Sequence, residues 1–139
     1  TIRSLSKEMQ QQIWAAVRRT ATNIAESAGA TAEVEIVNYA PVTYNDPRLT
    51  QQMVPSLNSA AGAANVSVQK AVTGAEDFAY YQEKIPGLFV FVGGMPKGKN
   101  PAETAPHHTP GFFVDESGLT LGVKTLATLA LDYLVAGKK

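Results

Sequence analysis

Leu88-Phe89-Val90-Phe91-Val92-Gly93-Gly94 is an unbroken apolar run, mostly aromatic and β-branched, closed by two glycines. A run of this length without polar alternation predicts a strand covered on both faces, which requires helices on either side of a sheet. The flanking sequence supplies candidates. On the N-terminal side, Glu76 to Tyr81 predicts a short helix after the break Thr73-Gly74-Ala75, and Val66 to Val72 alternates like a strand. Further back, Leu49, Met53, Leu57, Ala60 and Ala61 recur at helical spacing and set a helix over about 48–62. On the C-terminal side, residues 95–106 are rich in proline, glycine and lysine and read as a surface loop. A last helix starts near Asp115 or Ser117. Leu119, Val123, Leu126, Ala127, Ala130 and Leu134 give it a broad apolar face, and Lys138 and Lys139 sit at its negative end. Strands alternating with helices predict an α/β fold with a doubly covered sheet.

The first 42 residues differ in character. Thr1 to Leu5 alternates like a short strand, and Ser6 is placed to cap a helix whose first turn carries Glu8. Met9, Ile13, Trp14, Val17, Ala21, Ile24, Ala25 and Ala28 define an amphipathic helix over roughly 7–28, stopped by Gly29. Thr31 to Tyr39 carries Ala32, Val34 and Ile36 on one face and Glu33 and Glu35 on the other, as a half-exposed strand does. The turn-rich stretch Val42 to Pro47 marks a boundary, so the expected organisation is 1–42 and 43–139. Three elements leave one face of a sheet uncovered, and a chain that opens on a strand is expected to be part of something longer.

Twelve basic and twelve acidic residues cancel, which argues against a nucleic-acid partner. No uninterrupted apolar run reaches the length of a membrane span, so no membrane partner is expected either. There is no cysteine, hence neither disulfide nor thiolate ligand, and the compartment stays open.

Imidazole chemistry is confined to Pro106-His107-His108-Thr109-Pro110, because these are the only two histidines. The prolines stiffen the loop, and a stiff loop that presents a ring nitrogen suits a metal ligand. Alternatively, one histidine is solvated and the other caps the helix that follows; a single histidine is well short of the three or four ligands zinc takes. Asp115 and Glu116 stand at a helix start, where capping is their expected work. Gly74 lies between a strand and a helix, where backbone N–H groups can approach an anion. Glu76 and Asp77 are adjacent and therefore point about 100° apart on a helix, which makes them helix-start acids rather than an acid/base pair. Asn45 either forms an Asx-turn with Asp46-Pro47 or offers its amide to a substrate carboxylate. Arg3 is either a solvated strand residue or an anion-binding group. Gly93-Gly94 ends its strand or lies against a ligand, and the aromatic residues Phe78, Tyr80, Tyr81, Phe89, Phe91, Phe112 and Phe113 are expected by their spacing to be mostly core.

Three elements in this order, Gly74-Ala75-Glu76-Asp77-Phe78, Ile85 to Gly93, and His107-His108-Thr109-Pro110-Gly111-Phe112 with Asp115-Glu116, resemble the carboxy-terminal portion of the zinc-dependent aminoacylase/carboxypeptidase family. The closest branch is the amidohydrolases of the hippurate and auxin-conjugate hydrolase type. The resemblance covers nearly the whole chain. It implies the second half of a ferredoxin-like lid and dimerisation domain in 1–42, and the closing part of an α/β catalytic domain in 43–139. It also implies hydrolysis of the amide bond of N-acyl amino acids or small peptides, with two divalent metals, zinc or alternatively manganese, nickel or cobalt, and a homodimer formed through the lid. His108 matches the family's last metal ligand, Gly74 the loop that meets the substrate carboxylate, and Asn45 a lid-edge asparagine at the same end of the substrate. The family's His-x-Asp motif, paired glutamates and bridging aspartate have no counterpart in this chain, so the chain alone is expected to be inactive. The alternative is a catalytically dead binding or dimerisation module on the same scaffold.

Overall fold

The structure, a computed structural model, describes residues 1–137. Four α-helices account for most of the regular structure: α1 (Lys7–Ser27), α2 (Pro47–Ala61), α3 (Phe78–Gln82) and α4 (Ser117–Ala136). The chain forms two compact units, each built from two stretches. The first holds Thr1–Asp46 and Gln69–Phe89; the second holds Pro47–Val68 and Val90–Lys139.

In the first unit, α1 begins and ends as its sequence directs. Ser6 is extended at φ −143°, and its Oγ accepts from Met9 N–H at 3.1 Å while donating to Glu8 Oε2 at 2.7 Å. That bond to Ser6 holds the Glu8 carboxyl below its ordinary pKa, helped by the backbone N–H of Glu8 itself. At the other end Gly29 takes φ 69°, Ala30 N–H reaches Ala25 O at 2.9 Å and Gly29 N–H reaches Glu26 O at 3.0 Å. This paired return satisfies two of the helix's last carbonyls, and the left-handed turn it needs is easiest for glycine. Around α3, Ala79 is fully buried and the half-buried Phe78 ring lies 6.0 Å from Phe89 and 6.1 Å from Tyr81, but Tyr80, Tyr81, Phe91, Phe112 and Phe113 are exposed, so the aromatic residues are not the core their spacing suggests. The chain then folds back so tightly that a Cβ at Gly87 would meet Gln82 Cγ at 2.6 Å.

The second unit is organised by α2 against α4. Met53, Ser56 and Ala60 are the buried positions of α2, at steps of three and four. Full burial of a side chain such as Met53 contributes about 1.5–3 kcal/mol. On α4 the buried and half-buried positions are Gly118, Leu121, Gly122, Thr125, Thr128 and Leu129. The small residues on both helices allow a close approach. Lys124 spans the pair, its Nζ donating to Ala60 O at 2.9 Å. It supplies a cation to the negative end of α2, which ends without a basic residue of its own.

The structure corrects three further expectations. The stretches 1–5, 31–39, 66–72 and 88–92 form no strand among the described residues. A helix closes its hydrogen bonds within itself, whereas a strand exists only with a neighbour whose N–H and C=O groups face its own, and no such ladder is present. The ferredoxin-like lid therefore has no sheet here. Secondly, the face of α4 read as apolar is turned outward: Leu119, Val123, Leu126 and Leu134 are all about two-thirds exposed, and the packed stripe is the one containing the small residues. Thirdly, α4 is long and apolar enough to cross a membrane by length and composition, with mean hydropathy 1.4 over its best window. Lys124 and Asp132 interrupt the run, which hides it from a reading based on unbroken apolar stretches. Core helices of water-soluble folds share that length and composition. The expectation for Lys138 and Lys139 falls outside the described residues.

Candidate functional site

His108 is the one described non-glycine residue with a positive φ, at 65°. The left-handed region is costly for most side chains, with histidine among those that enter it more often. Here the turn is closed on both sides. Thr109 Oγ1 donates to Pro106 O at 2.7 Å, and Phe112 N–H reaches Thr109 O at 3.0 Å. The His107 ring packs on Phe112 at 4.5 Å between centroids and lies 6.5 Å from His108, so the two imidazoles have different surroundings. Both rings are exposed, but His107 lies against an aromatic face whereas His108 sits on a strained turn. Strain of this kind, fixed by flanking bonds, accompanies functional positions.

Downstream of the turn, Asp115 Oδ1 accepts from Ser117 N–H at 2.9 Å, the capping role expected of it, whereas Glu116 stands at the N-cap position and makes no side-chain cap bond. The same backbone bond, with a further bond to the Ser117 side chain, holds its carboxyl below the ordinary aspartate value. Asp115 N–H in turn reaches Gly94 O at 2.7 Å. A Cβ at Gly118 would lie 2.9 Å from Gly93 O, and one at Gly94 would lie 3.1 Å from Val114. The two glycines thus let the backbone meet the start of α4.

In the first unit, Arg3 is brought to the Gly74 loop. Its Nη1 donates to Thr73 O at 2.5 Å, next to the glycine. The remaining guanidinium donors are exposed beside backbone that carries no Cβ: nothing lies within 4 Å of where a Gly74 methyl would be. Glu76 turns its carboxylate to Phe78 N–H at 3.2 Å and so serves the start of α3.

Asn45 lies in a denser network. Its Oδ1 accepts from Phe89 N–H at 2.7 Å, and its Nδ2 donates to Phe89 O at 2.8 Å. Gln82 Nε2 also donates to Oδ1, at 3.3 Å, while Gln82 Oε1 accepts from Tyr44 N–H at 3.0 Å. Asp46 N–H reaches Gly87 O at 3.0 Å. The pairing with Phe89 imitates a strand neighbour and fixes which end of the amide is oxygen. One Nδ2 hydrogen is left over. Sequence reading missed Gln82, a polar residue at the end of a short helix with no motif around it; only the fold brings it to Asn45. Two shallow cavities in this unit, about 280 and 260 Å³, are lined by Tyr44, Gln82 and Glu83 among others, and neither of them reaches Asn45 or Gly74.

No group of three or more His, Asp or Glu able to hold a metal is present among the described residues.

Known proteins match almost the full length. The pattern of peptidase family M20/M25/M40 matches residues 5–132. Thermostable carboxypeptidase 2 of Saccharolobus solfataricus is 34% identical over 96% of this chain and 33% of its own length. N-acetylcysteine deacetylase of Bacillus subtilis is 36% identical over 96% of this chain and 33% of its own. IAA-amino acid hydrolase ILR1-like 4 of Arabidopsis thaliana is 31% identical over 97% and 31%. Among solved structures, a Bacillus subtilis protein described as a dinuclear metal binding peptidase from the M20 family superposes with TM-score 0.68 at 34% identity, over 93% of this chain and 33% of that one. The chain spans about a third of the length of these relatives. With residues 5–132 under one family pattern and a solved member of the same fold at this identity, the chain belongs to peptidase family M20/M25/M40.

Proposed function

We propose that the whole protein to which this sequence contributes is a metal-dependent hydrolase of the amide bond in N-acyl amino acids or small peptides. The observation that carries this reading is the closed Pro106–Thr109 turn, which holds the exposed His108 imidazole in the left-handed region. In a member of this family such a ring is suited to be one ligand of a divalent metal, two zinc ions or, in their place, manganese, nickel or cobalt. The other ligands come from outside the described residues, and the 139-residue chain by itself neither binds metal firmly nor hydrolyses substrate.

Substrate recognition falls to the first unit. Arg3 and the backbone of the Gly74 loop offer a cation and N–H groups to the free carboxylate of the substrate, and Asn45 adds its remaining amide N–H to the same end. Residues 1–42 form the second half of a lid and dimerisation domain, 43–139 the end of the catalytic domain, and the protein works as a homodimer through the lid.

The decisive experiment is His108→Ala in the whole protein, read by bound metal and by hydrolysis of N-acetyl amino acids. Loss of metal with a fall in rate of several orders of magnitude is expected. Full activity and metal content in this variant, or hydrolysis by the purified 139-residue chain alone, overturns the reading. Unchanged substrate binding with no hydrolysis in the unmutated whole protein indicates the catalytically dead module instead.

A further inference from the structure

The geometry points to Gln82 as a positioning residue that aims the Asn45 amide at the substrate; this rests on the reading of Asn45 as a contact to the substrate carboxylate. Asn45 cannot turn its amide over without losing both bonds to Phe89, since its nitrogen would then face Phe89 N–H and its oxygen would face Phe89 O. Gln82 adds a third constraint that acts on the oxygen alone, through Nε2 at 3.3 Å. Its own amide is set in turn by Tyr44 N–H on Oε1, so its nitrogen is bound to face Asn45. Both side chains are half-buried, where such bonds are less shared with water. Gln82 itself is fixed by the close return of the chain at Gly87, whose missing Cβ leaves room for the Gln82 stem. The chain of constraint thus runs from the α3 turn through Gln82 to one directed N–H on Asn45. A single well-aimed donor is worth more to binding than a rotating one, because its ordering is complete before substrate arrives.

Two substitutions separate aiming from holding. Q82A removes both bonds. Q82E keeps an oxygen for Tyr44 N–H but sets a carboxylate against Asn45 Oδ1. The metal-loaded whole protein is assayed with an N-acetyl amino acid and with the same compound carrying a carboxamide in place of its carboxylate. Both variants are expected to raise KM for the carboxylate substrate by about 3–10-fold, as for one misplaced hydrogen bond. Both should leave kcat within about twofold and leave the carboxamide nearly unaffected. N45A should raise KM in the same selective way. If Q82E behaves like the unmutated protein, or if KM rises equally for the carboxamide, Gln82 only supports the backbone and the inference falls. If N45A raises KM selectively and neither Gln82 variant does, the inference falls while the reading of Asn45 stands. If N45A leaves KM unchanged, both fall. Should Q82A fail to fold, the near-isosteric Q82E decides alone.

Discussion

The α2–α4 pair and the stretch 31–39 are similarly rich in apolar residues, yet one is ordered structure and the other is not. α2 and α4 close their own backbone bonds and need a partner only for side chains: Met53, Ser56 and Ala60 on one helix, Thr125 on the other. Residues 31–39 have a clear period-two pattern but no ladder, and Val37 and Tyr39 are 59% and 83% exposed. The difference lies in where the hydrogen-bond partner sits in the sequence. For a helix it is four residues away; for a strand it is on another segment, and the pattern alone does not say which.

The largest test of this contrast is amide hydrogen exchange on the 139-residue chain. The amides of α2 and α4 are expected to be protected by orders of magnitude more than those of 31–39 and 67–72, whose N–H groups have no partner among the described residues. Equal protection would mean that the extended stretches pair after all. The second test strikes the helix pair itself. Met53→Ala should cost about 2–5 kcal/mol in denaturant unfolding, and a loss under about 1 kcal/mol would show that α2 is not held by that contact. A smaller effect is expected at the start of α1, where Ser6→Ala should lower stability by about 1 kcal/mol and Ser6→Asp should restore most of it. The smallest concerns acid. The Asp115 carboxyl is held below its ordinary value by Ser117, so its contribution is complete above the unfolded-chain pKa and is lost as pH falls through the lower, folded value. Asp115→Asn should remove that part of the acid dependence of α4, followed by NMR of the Ser117 amide between about pH 6 and about pH 2. An identical titration in the variant would assign the effect to another group.

Helix positions were legible because their signals are local. Ser6, Gly29 and the apolar steps of α1 each name a physical requirement that neighbouring residues meet, and the helix runs from Lys7 to Ser27 where 7–28 was expected. The capping role of Asp115 was equally plain. What α4 packs with was not, because Leu119 and Leu126 outrank Gly118 and Thr125 in hydrophobicity while the small residues are what allow helices to touch. His107 and His108 were obvious as a pair, but only the turn distinguishes a ring stacked on Phe112 from a ring presented at φ 65°. Gln82 was invisible, since its partners Tyr44 and Asn45 are distant in sequence.

The approach of Gly118 to the Gly93 carbonyl has a consequence for how α4 can be seated. Sliding the helix by one residue would rotate it by about 100° and carry Ser117 or Leu119 to the spot where no side-chain carbon fits. The two glycines therefore act as a key and its slot. They set the phase of the whole helix, and with it which stripe of α4 turns towards α2 and which is left facing outward.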